Sequence, residues 1–332
     1  MRPPRKIPPR LLSDAATQEG LVNKAQCDAA GLDKYAVGRL IKAGAWSRVT
    51  RCVYDTDPDP VERRRRDDYF EHVRRRAAWA GMLAVPGGIA VGACALALHR
   101  VAGLPARLVP EVARPDGTAA KLGSEVVLRR YRSFPTVRYR GRRIAALVPA
   151  LAQALPGLAR GEGVAVLGSV LHQDFLDLSA LDQVRDMMRR RRGSVRALDW
   201  FPLASGLDES PAETAARLSC LDHGVPPDGQ QVTFTLAGVL LARVDLVWRL
   251  PGGRYLVVEI DGRAYHLGQE MLADDSVRQN GLVGTDRLVV LRYPAAEALS
   301  DEGIGPDVAA RLTALRWTPA AALLRGQVEL GR

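Results

Sequence analysis

Two apolar rhythms alternate along the chain, one of helical period and one of strand period. Over 21–32, Asn23 reads as a helix N-cap, Gln26 follows three residues on as in a capping box, and Gly31 supplies the stop. Asp33 then caps a second predicted helix over 34–42, where Ala36, Val37, Leu40 and Ile41 recur at helical spacing. After Gly44-Ala45-Trp46 the run from Ser47 to Tyr54 alternates like a strand and reads as a small β-wing. The second helix carries Lys34, Arg39 and Lys42, and the wing carries Arg48 and Arg51.

Further along, 61–79 reads as a charged helix, followed by an uncharged window from Ala77 to Leu98. That window is long enough to span a bilayer, but it is mostly Ala and Gly and is broken by Pro86-Gly87-Gly88. It reads instead as two short buried helices. Strands are predicted near 109–113, 125–129 and 136–140, then helices from about 149 to 192. A last block begins at Ser210-Pro211-Ala212-Glu213, a helix start with Ser as N-cap and Pro at the first position. Strands follow over 231–235, 242–248 and 254–261, and 287–293 closes the block.

The pattern therefore predicts a mixed α/β chain in parts. Residues 1–10 (MRPPRKIPPR) form a disordered tail, 11–57 a helix-turn-helix with wing, and 58–206 a middle α/β domain with a basic surface. Residues 207–300 form an acidic α/β domain, and 301–332 a helical extension.

Composition sharpens this division. The 332 residues are 47% hydrophobic, enough for a core without staples. Cys27, Cys52, Cys94 and Cys220 form no C-x-x-C pair, which argues against structural zinc and fits a reduced, cytoplasmic setting. No secretory leader is expected at the start, because no long apolar run follows Arg10. Residues 1–206 hold 35 Lys and Arg against 20 Asp and Glu, whereas 207–300 hold 8 against 13. A basic front suits a polyphosphate partner, and an acidic rear suits cations. Seven arginines between Arg129 and Arg143, including Arg138 and Arg140, are interleaved with Tyr131, Phe134 and Tyr139. Such mixing fits phosphate contact with stacking, and equally a sheet edge guarded by charge.

The chemistry concentrates in the last block. A hairpin turning at Pro251-Gly252-Gly253 pairs Leu250 with Arg254 and Trp248 with Leu256, which brings Asp245 opposite Glu259. Val244, Leu246 and Trp248 then share one face with Leu256, Val258 and Ile260, and Asp245, Glu259 and Asp261 share the other. Carboxylates crowded together repel, and a hard divalent cation is a physical reason to keep them so. Glu213 joins this set as a candidate, although its position also suits the acid of a capping box.

Gly20-Leu21-Val22, Ala30-Gly31-Leu32, Gly44, Trp46, Arg48-Val49 and Val53-Tyr54 resemble the amino-terminal winged helix of abortive-infection type IV antitoxins (AbiEi family), with Cys52 where that family usually has Gly. The resemblance implies DNA binding, and a cognate toxin or a second copy of the chain as further partners. Ser210-Pro211-Ala212-Glu213, Val244-Asp245-Leu246, Val258-Glu259-Ile260-Asp261-Gly262 with Tyr265-His266, and Asp275-Ser276-Val277-Arg278-Gln279-Asn280 resemble the very-short-patch-repair-like endonuclease domains of actinobacteria, within the PD-(D/E)XK superfamily. This second resemblance implies a restriction-endonuclease-like domain with Mg²⁺ or Mn²⁺ held by Glu213, Asp245, Glu259 and Asp261. It implies phosphodiester hydrolysis, with Arg278 stabilising charge and His266 acting as base or orienting water. A role in phage defence or mobile-element biology follows from resemblance alone. The motif lysine is replaced by Asp261, and no lysine follows Lys121. The competing expectation is a non-catalytic, antitoxin-like repressor on a nuclease scaffold.

Overall fold

The polypeptide turns helical at Pro9, inside the stretch expected to be a disordered tail. Pro is favoured in a first helical turn, and Leu11 and Ala15 bury one face of helix α1 (Pro9–Thr17). The computed structural model describes residues 7–64, 66–117, 125–131, 133–189, 191–261, 287–320 and 322–330. It is a mixed α/β chain that divides into two units, residues 1–159 with 177–199, and residues 160–176 with 200–332.

In the first unit, strand β1 (Leu21–Asn23) leads into helix α2 (Lys24–Ala29). Asn23 Oδ1 accepts from the Gln26 amide at 2.9 Å, and the Gln26 side chain accepts from the Asn23 amide at 3.0 Å, closing the expected capping box. Asp33 accepts from the Ala36 amide at 2.7 Å and starts helix α3 (Lys34–Lys42) with the expected limits. The alternating run beyond it is two strands, β2 (Ser47–Thr50) and β3 (Val53–Asp55), in a sheet of order β1-β3-β2. Leu11, Val22, Leu32, Val37, Trp46 and Tyr54 form the core beneath.

The charged helix is shifted from its expected place to α4 (Tyr69–Ala84). Strand β4 (Ile89–Ala90) and helix α5 (Gly92–Leu98) follow, so Pro86-Gly87-Gly88 does separate two helices. No helix among the described residues is long and apolar enough to cross a membrane. Strands β5 (Glu111–Ala113), β6 (Val127–Arg129), β7 (Thr136–Tyr139) and β8 (Arg142–Ala145) complete a sheet of order β6-β5-β4-β8-β7. Helix α6 (Leu147–Ala154) comes next. Leu21 and Val53 share a core with Trp79, Met82 and Ile144, so the small amino-terminal sheet and the middle region are one packed unit.

Helix α7 (Arg160–His172) belongs to the second unit, whereas α8 (Leu178–Met188) and α9 (Ser194–Leu198) return to the first. Helix α10 (Pro211–Asp222) is tied to α7 by the two-pronged pair of Arg160 with Asp222, at 2.6 and 2.9 Å. Strands β9 (Gly229–Leu236), β10 (Val239–Leu250), β11 (Arg254–Asp261), β12 (Leu288–Pro294) and β13 (Gln327–Leu330) form a sheet of order β12-β11-β10-β9-β13. The extension expected to be helical thus ends as a strand parallel to β9.

The β10–β11 hairpin has the expected register, with Leu250 opposite Arg254 and Trp248 opposite Leu256. Leu246, Trp248, Leu256 and Val258 pack in one core cluster with Ala212, Ala216 and Cys220 of α10. Val244 departs from the expected face and packs with Val232, Phe234 and Val257 in the second cluster. The β9–β10 ladder shifts register between Leu240 and Ala242, and on β9 Gln231 takes a left-handed backbone with φ 51°.

Candidate functional site

Ser210 Oγ accepts from the Glu213 amide at 3.2 Å, and this cap places Glu213 in the first turn of α10. Its side chain does not complete the capping box. Glu213 Oε2 accepts from the Glu209 amide at 2.9 Å, one residue earlier than that motif requires. Glu213 is buried, and burial, followed by the nearby Asp245 charge, pushes its carboxyl above the ordinary range despite the opposing Glu209 hydrogen bond.

Asp245 reaches the same place from β10. Its Oδ2 accepts from the Ile260 amide of β11 at 2.7 Å, and its Oδ1 accepts from Gln231 Nε2 at 3.0 Å. The same Gln231 nitrogen donates to Glu213 Oε2 at 2.9 Å. Two half-buried or buried carboxylates from a helix and a strand thus converge on one electropositive atom. Burial raises the Asp245 carboxyl too, against the lowering effect of its two hydrogen bonds.

The neighbouring acids are differently engaged. Asp208 is buried in a structural network, accepting from Arg217 Nη2 at 2.6 Å, from Gln230 Nε2 at 2.6 Å and from Thr214 Oγ1 at 3.0 Å. Glu259 pairs with Arg292 of β12, Oε2 to Nε 2.8 Å, and Asp261 lies exposed at the end of β11. Among the described residues, no three His, Cys, Asp or Glu side chains gather as an ion's ligands. Of the four carboxylates expected as a set, Glu213 and Asp245 come together on Gln231, whereas Glu259 faces Arg292 and Asp261 lies at the end of β11. Parallel pairing of β11 with β12 puts Arg292 directly beside Glu259, which is why that acid has a cation partner. His266 and Arg278 lie outside the described residues.

In the first unit, Lys34, Arg39 and Lys42 lie on the outer side of α3, while Ala36 and Val37 are buried. Tyr35 is 66% exposed on the same helix, an aromatic that periodicity alone did not single out. Lys34 Nζ sits 4.9 Å from the Tyr35 ring centroid. Arg48 lies over the Tyr54 ring at 6.0 Å, and Arg51 is exposed in the wing turn. No acidic side chain among the described residues pairs with any of these five cations. Arg138 and Arg140 are exposed on the β7–β8 hairpin. Arg140 donates to the Thr17 carbonyl at 2.7 Å, and Arg138 has no such anchor among the described residues.

Sequence reasoning did not single out Gln231 or Arg292. Gln231 sits within a strand whose alternation gives it no special place, and the left-handed turn of its backbone aims it at the acids.

No family model matches the chain. Two curated mycobacterial proteins are similar over part of it. "Uncharacterized protein MT2308" of Mycobacterium tuberculosis (strain CDC 1551 / Oshkosh) is 35% identical over 118 residues, 35% of this chain and 42% of that protein. "Uncharacterized protein Rv2248" of Mycobacterium tuberculosis (strain ATCC 25618 / H37Rv) matches to the same extent. The chain thus spans 42% of the length of these relatives, and its similarity to them is a similarity of a segment.

Proposed function

We propose that this chain is a DNA-binding protein whose carboxyl-terminal unit is a nuclease-type domain acting on phosphodiesters with a divalent cation. The observation that carries the reading is the convergence of Glu213 Oε2 and Asp245 Oδ1 on a single nitrogen. Two acids from a helix and the second strand of a meander, made costly by burial, have their counterpart in the site that the sequence resemblance implies.

The donor set suits Mg²⁺ or Mn²⁺ in kind and number. Magnesium commonly takes one or two carboxylates from protein and its other oxygens from water and substrate phosphate. Glu213 and Asp245 would hold it, and it would supply a polarised phosphate and a more acidic water. The chain's own residues set the geometry. The Ile260 and Glu209 amides each fix one carboxylate, and Gln231 keeps the pair aimed at a common point. On the first unit, the winged-helix order and the cations of α3, which have no acidic partner among the described residues, support DNA as the partner.

A second reading, a DNA-binding regulator that uses this fold as a scaffold, is favoured by two contacts. Glu259 is paired with Arg292, and the Gln231 amide already neutralises the point between Glu213 and Asp245. Supercoiled plasmid incubated with the full chain and Mg²⁺ or Mn²⁺, beside Asp245→Ala, separates the two. Nicking or linearisation by the wild type alone supports the nuclease. Intact plasmid in both, or equal loss in both, leaves the regulator.

A further inference from the structure

Strands β7 and β8 form a tight hairpin whose two turn residues, Arg140 and Gly141, both have positive φ, 46° and 78°, as a two-residue turn of matching twist requires. The register this turn imposes puts Arg138 directly opposite Arg143. Directly opposed residues on an antiparallel pair share a face with Cβ atoms about 5 Å apart, where like charges destabilise the sheet. Both arginines are exposed, and neither has an ion-pair or side-chain hydrogen-bond partner among the described residues.

The contrast with nearby arginines is informative. Arg129, on the opposite edge of the same sheet, is neutralised by Glu111. Arg140 donates to the Thr17 carbonyl, and its guanidinium lies 5.5 Å from the centroid of the adjacent Tyr139 ring. Edge protection accounts for Arg138 on the outer strand β7 but not for Arg143, which lies on the inner strand β8. Two forked guanidinium groups side by side on a rigid ribbon match the oxygens of a phosphodiester backbone.

We propose that the Arg138–Arg143 face is a second nucleic-acid contact, binding backbone phosphate without regard to sequence. The proposal rests on the reading of the first unit as DNA-binding and extends it from the α3 helix to the middle sheet. The hairpin supplies affinity, and α3 supplies preference among sequences.

The test is anisotropy of the full chain on two labelled duplexes of unrelated sequence, across a range of KCl concentrations. Arg138→Thr/Arg143→Thr is compared with wild type, with Arg138→Lys/Arg143→Lys and with Arg39→Ala/Lys42→Ala. Loss of two phosphate contacts lowers the magnitude of the salt slope by about 2 and weakens both duplexes roughly tenfold or more at about 0.1 M salt. The lysine pair retains the slope. Melting temperature does not fall in the threonine variant, because a like-charge repulsion is removed. An unchanged slope in a folded threonine variant, or a lowered melting temperature, overturns the hairpin proposal while leaving α3 binding intact. Absence of binding by the wild type to either duplex overturns the DNA reading itself.

Discussion

Glu213 and Asp245 share one hydrogen-bond donor, the side-chain nitrogen Nε2 of Gln231, at 2.9 and 3.0 Å. The three side chains come from α10, β9 and β10, and each is held by a different local device. Ser210 caps the helix that carries Glu213, the Ile260 amide fixes Asp245, and a left-handed backbone turns Gln231 toward both. Burial makes ionisation of both carboxyls costly, so their removal is informative.

The stability of Asp245→Asn relative to wild type, in the absence of divalent cations, is expected to rise with pH. The Asp245 carboxyl is raised above its usual 3.8 by burial. A carboxyl raised on folding contributes stability below its unfolded pKa, and that contribution is lost as pH rises through the folded value. At pH 7 the cost is therefore fully present in the wild type; the amide carries no such pH-dependent cost, although it can accept only one of the two hydrogen bonds that Asp245 holds. Thermal melts against pH should show the variant gaining on the wild type as pH rises from below the ordinary Asp range to 7.

Glu19 behaves in the opposite sense. Burial alone would raise its carboxyl, but hydrogen bonds from His72 and Arg75 outweigh that and bring it from 4.5 to about 2. A depressed carboxyl stabilises above its unfolded pKa and is lost as pH falls through the folded one. The acid limb of the first unit should therefore lie between about 4.5 and about 2. At neutral pH, Glu19→Gln should cost on the order of 3–4 kcal/mol, since each pKa unit is worth about 1.4 kcal/mol and the carboxyl falls from 4.5 to about 2. Urea unfolding at pH 7 and pH 3 checks this, with the larger loss expected at pH 7.

Gly163→Ala tests the packing of α7. A Cβ at Gly163 would stand 2.2 Å from Trp200 Cε3, and the buried indole has little freedom to retreat. Overpacking of this kind costs about 1–3 kcal/mol. Calorimetry should show the melting temperature of the second unit lowered by several degrees.

Much of this was legible in sequence. Asn23, Asp33 and Ser210 announced their helices because a cap is a local hydrogen bond, fixed by residues three apart. The β10–β11 register was legible because a short turn determines every pair behind it. The partner of Glu259 was not, since Arg292 arrives on a parallel strand 33 positions later and no local spacing encodes that pairing. Gln231 was hidden for a different reason: its role depends on one positive φ, which a non-glycine residue does not advertise. β13 was missed because Gln327–Leu330 is too short to show a rhythm, and it is a strand by virtue of the β9 edge it meets.

On the DNA side, Arg39→Ala and Lys42→Ala should each weaken binding by about 1–3 kcal/mol if they reach bases, and change the preference among duplexes. Tyr35→Ala should weaken binding without lowering stability, because the ring is 66% exposed. Competition binding among duplexes of different sequence reads both effects.

The most direct measurement is a calorimetric titration of Mn²⁺ into the full chain, set beside Glu213→Gln and Asp245→Asn. If the carboxylate pair is a cation site, the wild type takes up one ion per chain there and both variants lose that uptake while remaining folded. Identical titrations of all three proteins, or no heat from any, would contradict the account.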